Sequence, residues 1–208
     1  MQLSGQAAAR KVQTMAKKIK LNLGCGKNHM QGYINVDKYG EPDVRHDLES
    51  FPWPWDDSSV TEIVLNHVLE HLGQDTQTYL NIIKEIYRIC RDQALVYIVV
   101  PHPRHDDFIN DPTHVRVITP EGIGLFSKKN NKIWIKEGYA NSPLGLYLNV
   151  DLEIINVDVN YDPVWIQLLE EGKASEEDLE SAGASYNNVI KEFSITAKII
   201  KHDHEAEQ

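Results

Sequence analysis

The chain has 208 residues, 41% of them apolar, which is enough to bury the core of a single α/β domain. Its formal net charge of −10 disfavours a nucleic-acid partner, because a phosphate backbone would be repelled. The two cysteines, Cys25 and Cys90, do not form a disulfide framework, and no stretch approaches the roughly 18 apolar residues of a membrane span. We therefore expect a soluble cytoplasmic protein with no membrane partner.

The chain is predicted to contain one domain with a polar segment at each end. Residues 1–18 are expected to be an N-terminal extension or tag, residues 19–201 to form the domain, and residues 202–208 to be a disordered tail. Within the domain, residues 163–185 combine acidic and capped helical segments between two long strands. We expect a helical insertion there, which could act as a lid over a substrate.

The first predicted strand ends in a glycine-rich turn. Residues 20–26 read KLNLGCG, and Gly24 and Gly26 allow the backbone to approach a ligand closely at the strand's carboxyl end. A second strand at residues 33–36 follows after about eight residues, which is too few for a complete crossover helix. A hairpin is the alternative, but the acid at the next strand end, Asp37, favours a compressed parallel crossover with at most one helical turn.

The remaining elements alternate between strands and helices. Further strands are predicted at residues 43–47, 60–65, 94–100, 150–159 and 189–200. Helices are predicted at residues 66–72, 78–90, 119–128, 164–169 and 175–181. The helix at residues 78–90 has apolar residues at three- and four-residue spacings and would carry Cys90 on one face. The order of these elements predicts an α/β fold with a mainly parallel sheet.

Four motifs, in this order, resemble the class I S-adenosylmethionine-dependent methyltransferases. They are LNLGCG, INVDKY, HDLESFPWPWDDSSVTEIV and NHVLEHL, and together they cover about residues 19–126. The similarity is greatest to the broad methyltransferase-domain group whose members read LEH after the fourth strand. It implies a Rossmann-like, doubly wound sheet of seven mostly parallel strands with the last strand antiparallel, and it implies S-adenosyl-L-methionine as the cofactor.

The resemblance also implies where the cofactor binds. The candidate cofactor-binding residues are Gly24, Cys25, Gly26, Asp37, Lys38, Asp47, Leu48, Asn66 and His67. The glycine turn would meet the methionine part of the cofactor, and Asp37 would accept hydrogen bonds from both ribose hydroxyls, as an acid does in dinucleotide sites. Asp47 and Leu48 would contact the edge and the face of the adenine. Asn66 and His67 would lie beside the sulfonium.

We expect the reaction to be methyl transfer to an oxygen atom of a small molecule or a glycan. The acidic surface and the histidine-rich segment at residues 102–114 favour this acceptor class, because a hydroxyl acceptor needs a base. The candidate catalytic residues are His71, His67, His105 and His114.

No metal ion is expected, although some residues are candidates for one. If residues 66–72 are helical, then His67, Glu70 and His71 share one face. A histidine of the 102–114 segment could complete such a site, and the candidates there are His102, His105 and His114.

Two other functions are compatible with parts of the sequence. A nicotinamide-dependent oxidoreductase would need glycine where His29 stands, and its ribose-binding acid lies about 20 residues beyond the turn, farther than Asp37 does. A module of the same fold that binds the cofactor without catalysis is the other alternative, because a fold does not determine an activity. The oligomeric state is not indicated by the sequence.

Overall fold

The computed structural model of the protein describes residues 18–201. The predicted disordered tail at residues 202–208 and the predicted extension, except for Lys18, lie outside the described residues. Within residues 18–201, none of the helices has both the length and the apolar character needed to cross a membrane.

Seven strands of the described residues form one sheet. They are β1 (Ile19–Leu23), β2 (Ile34–Asp37), β3 (Val44–Arg45), β4 (Val60–Asn66), β5 (Cys90–Pro101), β6 (Leu152–Tyr161) and β7 (Ile190–Ile199). Their order across the sheet is β3-β2-β1-β4-β5-β7-β6, and β7 is antiparallel to both of its neighbours while the other pairs are parallel. This confirms the predicted fold class, a Rossmann-like, mostly parallel seven-stranded sheet whose last strand is antiparallel.

The strand order places a crevice at the centre of the sheet. The chain moves outward from β1 through β2 to β3, and then returns to the other side of β1 for β4 and β5. Connections leave the sheet in opposite directions at such a switch point, so a crevice opens outside the carboxyl ends of the strands. In this protein it lies beyond the ends of β1, β2 and β4.

The crossover between β1 and β2 is parallel, as predicted, but it contains no helix. Residues 24–33 form turns only. Two buried asparagines hold this short connection in place of helix packing. Asn22 donates to Asn28 O (2.8 Å) and to Asn35 Oδ1 (3.0 Å), and Asn35 Oδ1 also accepts from Met30 N (2.8 Å). The polar groups of a connection that is too short for secondary structure are therefore satisfied by side chains.

The helices differ from the predictions mainly at their ends. They are α1 (Thr76–Ile89), α2 (Asp106–Ile109), α3 (Pro120–Gly124), α4 (Lys128–Glu137), α5 (Leu144–Leu148), α6 (Pro163–Glu170) and α7 (Glu176–Ser185). Cys90 does not belong to a helix as predicted, because it begins β5. The helix predicted at residues 119–128 ends early, as α3, and Ser127 caps the next helix, α4, by accepting from Asn130 N. The sequence patterns did not indicate α2, α4 or α5.

The predicted insertion at residues 163–185 contains α6 and α7 and lies between β6 and β7. It is fastened to the domain at both ends. Trp165 Nε1 donates to Asn188 O (3.1 Å), and the guanidinium of Arg104 donates to the carbonyls of Gly183 and Ala184. Its behaviour as a lid stays a prediction.

A charged network fastens the loop before β4 to α1. Glu85 accepts from Trp53 N (2.6 Å) and forms an ion pair with Arg88 (Nε to Oε1, 2.8 Å). The Arg88 guanidinium also donates to the carbonyls of Trp53 and Trp55 and to Asp57. Arg88 therefore joins α1 to the loop before β4 by donating hydrogen bonds to backbone carbonyls of that loop.

We predict that Arg88→Ala lowers the free energy of unfolding by about 2 kcal/mol, because it leaves Glu85 without its counter-charge. Lys84→Ala on the exposed side of α1 is the matched control, with an expected change within about 0.5 kcal/mol. Urea denaturation of both variants checks this. Equal stabilities of the two variants would contradict the role assigned to Arg88.

Candidate active site

The turn after β1 is shaped by a glycine that no other residue can replace without strain. Gly24 has a φ of +66°, and a Cβ atom there would lie 2.6 Å from Val68 Cγ2. The next residue remains tied to the sheet, because Cys25 N donates to Val36 O (3.0 Å). The β1 turn is therefore packed directly against the segment that follows β4.

Asp37 ends β2 and faces the β1 turn. Its Oδ2 accepts from Gly26 N (2.9 Å), and its Oδ1 accepts from Tyr39 N (2.8 Å). A carboxylate offers about four lone-pair positions, so this side chain can accept two further hydrogen bonds from a ligand. Asp37 thus combines a structural role in the loop with capacity to bind vicinal hydroxyls.

These elements surround a cleft of about 280 Å³. Its lining residues are Gly24, Asp37, Lys38, Tyr39, His46, Asp47, Leu48, His67, Val68, His71 and Leu72. The structure thus brings together most of the residues predicted to bind a cofactor. The predicted residues that do not line the cleft are Cys25, whose side chain is buried, Gly26, whose N–H is bound by Asp37, and Asn66, the last residue of β4.

Four lining residues were not predicted, namely Tyr39, His46, Val68 and Leu72. Each is adjacent in sequence to a predicted residue or belongs to the NHVLEHL motif, so proximity along the chain could have indicated them.

An ion pair links two predicted residues at the cleft, with Lys38 Nζ 3.6 Å from Asp47 Oδ2. Asp47 therefore already has Lys38 as an ion-pair partner within the protein.

The segment from residue 66 to residue 72 is not the α-helix that the sequence predicted. Asn66 is still part of β4, and His67 has a φ of +54°. Only Leu69–His71 forms a single 3₁₀ turn. The chain has to reverse directly at the end of β4, which leaves no room for a full helical turn, so the expected single face of His67, Glu70 and His71 does not form.

His67 lies between two carboxylates. Its Nε2 is 3.1 Å from Glu192 Oε2, and its Nδ1 is 3.3 Å from Glu70 Oε1. Glu70 is completely buried, and neither of its carboxylate oxygens makes a well-aligned hydrogen bond among the described residues. The contact with Glu70, and then the charge of Glu192, raise the pKa of His67 against the opposing effect of burial. His67 is therefore suited to carry a positive charge rather than to remove a proton.

His71 is held in one tautomer by a relay of oxygen atoms. The hydroxyl of Thr113 donates to Asp111 Oδ1 (2.6 Å), so it can only accept at its contact with His71 Nδ1 (2.9 Å). Nδ1 therefore carries the proton, and Nε2 keeps its lone pair. His71 lines the cleft and has the chemical state of a general base.

His114 is fixed in the same way beside His71. Its Nδ1 lies 2.8 Å from the carbonyl oxygen of Phe108, which can only accept, so Nδ1 carries a proton, while Nε2 lies 3.8 Å from Asp111 Oδ2. The rings of His71 and His114 have centroids 4.5 Å apart. One ligand atom from each of Glu70, His71 and His114 lies within 4.8 Å of the others. Two imidazoles and a buried carboxylate with spare acceptor capacity are a set that could hold a divalent cation.

The other two histidines of the segment at residues 102–114 have structural surroundings. His105 caps α2, where its Nδ1 accepts from Asp107 N (3.1 Å) and its Nε2 is 3.2 Å from Asp162 Oδ2. His102 packs on the ring of Phe193, and its Nδ1 accepts from Arg104 N (3.2 Å). Neither lines the cleft, and His114 does not line it either, so the catalytic roles of His105 and His114 stay predictions.

No protein-family model matches the sequence, and no curated protein matches it. Solved structures of similar fold include a SAM dependent methyltransferase from Archaeoglobus fulgidus, with a TM-score of 0.56 and 18% identity over 87% of this chain and 86% of that chain. The YcgJ protein from Bacillus subtilis has a TM-score of 0.50 and 16% identity over 90% and 94% of the two chains. At these identities the similarity establishes the fold alone. The chain has the fold of the class I S-adenosylmethionine-dependent methyltransferases.

We predict that Glu192→Gln lowers the pKa of His67, because it removes one of the two negative charges beside the ring. Titration of the His67 ring by NMR measures this directly. Since the folded-state pKa is raised, the ion pairs stabilise the protein fully below the unfolded pKa of about 6.5. That stability is lost as the pH rises through the folded value. An unchanged titration in the variant would contradict this interpretation.

Proposed function

We propose that this protein is an S-adenosylmethionine-dependent methyltransferase that methylates an oxygen atom of a small molecule or a glycan. The observation that carries the proposal is the cleft at the switch point of the sheet, where Gly24 and Asp37 end adjacent parallel strands and His71 lines the same space. A nicotinamide-dependent oxidoreductase is not favoured, since His29 replaces the third glycine of its fingerprint and one of the similar solved folds is a SAM dependent methyltransferase.

The residues of the cleft fit the proposed cofactor. Gly24 lines the cleft at the end of β1, so the backbone of this turn can lie against the methionine part. Asp37 has unused acceptor positions for the ribose hydroxyls, while Asp47 and Leu48 offer a polar edge and an apolar face to the adenine. When bound, the cofactor supplies a methyl group on a sulfonium, which is already activated toward a nucleophile.

We predict micromolar binding of S-adenosylmethionine or its demethylated product, measured by calorimetry, and a ten- to hundredfold weaker affinity in Asp37→Ala. Charge-assisted hydrogen bonds of about 1.5–3 kcal/mol each account for that range. Asp37→Asn is the milder variant, because it removes the charge and one of the two loop hydrogen bonds but keeps one acceptor oxygen. Asp56→Ala, at an exposed acid outside the cleft, is the control. Binding of NADH instead, or equal affinities in the Asp37 and Asp56 variants, would refute the assignment.

His71 is the residue that we assign to acceptor activation. Its Nε2 accepts the proton of the acceptor hydroxyl, while its Nδ1–H donates to the hydroxyl oxygen of Thr113. The relay through Thr113 to the Asp111 carboxylate stabilises the imidazolium that results. His67, between Glu70 and Glu192, stays positively charged and orients polar groups of the acceptor. A hydroxyl or an amine acceptor needs such a base, and oxygen is the methylation site that we propose.

A divalent cation is the second candidate for acceptor activation. The observation that favours it is the buried Glu70 carboxylate, whose oxygens lack hydrogen bonds among residues 18–201 and lie close to His71 and His114. A mixed imidazole–carboxylate set suits Zn²⁺, Fe²⁺ or Mn²⁺ better than Mg²⁺. Such an ion would bind the acceptor hydroxyl and lower its pKa, which replaces the base.

The acceptor would lie over the carboxyl ends of the strands. Residues 102–114 would form one wall, and the insertion at residues 163–185 would form a lid that excludes water. Arg104 connects the two, because it belongs to the wall and binds the carbonyls of Gly183 and Ala184 near the end of α7. His105 makes a second link, because its Nε2 lies 3.2 Å from Asp162 Oδ2 and Asp162 caps the first helix of the insertion, α6. Movement of the lid would therefore be transmitted to the wall at both ends of the insertion.

Activity measurements distinguish the two candidate roles of His71, which are general base and ligand of a divalent cation. A screen of metabolite and saccharide pools with labelled cofactor first identifies an acceptor. We then predict that His71→Ala lowers kcat by about 10²–10⁴-fold, the usual contribution of a general base. With a base, His114→Ala loses far less activity and EDTA has no effect.

With a metal ion, both variants lose activity equally, and elemental analysis of untagged protein finds close to one equivalent of a transition metal. Full activity of His71→Ala would refute both roles. Cofactor binding without turnover on any acceptor would favour the non-catalytic module instead.

A further inference from the structure

A second cavity, the α1–α3 cavity, lies between the first turns of α1 and the helix α3. Its volume is about 200 Å³, and none of the described residues lines both this cavity and the cleft. Most of its wall is apolar, formed by Leu80, Val117, Ile118, Leu125, Phe126 and Leu144. Among the described lining residues, Arg116 alone carries a charge. The cavity therefore offers an apolar wall and one cation, in a chain whose net charge is −10.

The guanidinium of Arg116 has one edge in use and one edge free. Its Nε and Nη2 both donate to Gly73 O, which occupies the edge between these two nitrogens. A guanidinium has five N–H groups in a planar fork, so the edge between Nη1 and Nη2 keeps two parallel N–H groups. In the described part of the chain, Arg116 forms no ion pair. Asp75 is close enough to interact with its charge, but that carboxylate already accepts from the backbone N and the hydroxyl of Thr78.

Tyr79 brings a second unused polar group to this cavity. The residue is 8% exposed and lines the cavity. The Arg116 guanidinium lies 4.3 Å from the centroid of its ring, but the Tyr79 hydroxyl makes no hydrogen bond with any of residues 18–201. Burial raises the pKa of Tyr79 to about 12, against the opposing charge of Arg116, so the hydroxyl keeps its proton at neutral pH. Tyr79 is thus a donor that lacks an acceptor, which is uncommon for a buried polar side chain.

We propose that the α1–α3 cavity binds a small carboxylate with an apolar body, such as an arylalkanoic or branched alkanoic acid. The two carboxylate oxygens match the two parallel N–H groups on the free edge of Arg116, and the Tyr79 hydroxyl can donate to the same carboxylate. The apolar body would then replace water against the apolar wall. A neutral apolar ligand would leave the Arg116 charge without a partner, and a small inorganic anion would leave the apolar wall wet.

The proposed site touches the segment that carries His71 but leaves the cleft open. Arg116 N donates to Glu70 O (3.1 Å), and its guanidinium donates to Gly73 O. Between these two carbonyls lie His71 and Leu72, which line the cleft. A carboxylate on the free edge of Arg116 would therefore be bound behind the wall of the cleft. The proposal does not depend on the proposed function, because it concerns a different cavity and needs no cofactor.

The test is an NMR titration of the full chain, labelled with ¹⁵N, with phenylacetate as the probe. We expect a dissociation constant on the order of 1 mM, which is typical of a ligand of this size. The backbone amide signals of Leu80 and Gly122 in the α1–α3 cavity should shift, while those of Gly24 and Asp37 at the cleft should not. Phenylacetamide has the same shape without the charge, and acetate and inorganic phosphate have charge without the apolar body. Each of these three should bind at least about tenfold more weakly.

Two variants test the polar groups. Arg116→Lys keeps the charge but loses the two parallel N–H groups, so phenylacetate should bind about tenfold more weakly. Tyr79→Phe keeps the ring and removes the hydroxyl, and it should weaken binding about two- to tenfold. Arg91→Lys, the same change at an exposed position of β5, is the matched control and should stay within about twofold of the parent. If Arg116→Lys does not fold, Tyr79→Phe decides.

The proposal fails if phenylacetate causes no shifts at about 20 mM, far above the expected dissociation constant. Shifts confined to the cleft would also overturn it, since the ligand would then bind at the other site. Equal binding of phenylacetamide would show that the Arg116 charge plays no part. Equal binding of acetate or phosphate would reduce the site to one for an adventitious ion only. Losses as large in Arg91→Lys as in the cavity variants would contradict the placement of the ligand.

Discussion

The close approach of Gly24 to Val68 is the constraint on which the candidate site depends. A Cβ at Gly24 would lie 2.6 Å from Val68 Cγ2. The side chain of Val68 therefore packs directly against the backbone of the turn after β1, and no side chain fits between them. One segment carries the glycine turn proposed to hold a cofactor, and the other carries His67 and His71. Their separation is therefore set by packing in the sheet rather than by flexible loops.

The second half of the site is added by a loop that binds this same segment. Val115 N and Arg116 N both donate to Glu70 O (2.8 and 3.1 Å), and the Arg116 guanidinium donates to Gly73 O. These contacts bring His114 beside His71 although the two residues are far apart in the chain. The backbone carbonyl of Glu70 thus organises the loop while its buried carboxylate contributes charge to the site.

The features that could be predicted from sequence are those encoded locally. Gly24 and Asp37 each end a strand, so the residue type and the strand boundary together place them at the carboxyl edge of the sheet. The sequence offered His102, His105 and His114 as candidates to lie beside His71, but it could not single out His114, since that requires the loop to fold back onto the 3₁₀ turn. The helix expected at residues 66–72 was wrong because its periodic spacing competes with a chain reversal that only the tertiary structure reveals.

The helix-free crossover after β1 also affects how the protein can recognise a charged group of a ligand. In most α/β folds, the first helix directs its positive N-terminus at an anionic group near the end of β1. Here turns held by Asn22 and Asn35 take its place, so no helix dipole is aimed at that position. Recognition of a carboxylate there must come from individual N–H groups and side chains of residues 24–33. Selectivity for the charged end of a ligand can therefore change by substitutions in one short surface loop, without altering the packing of the sheet.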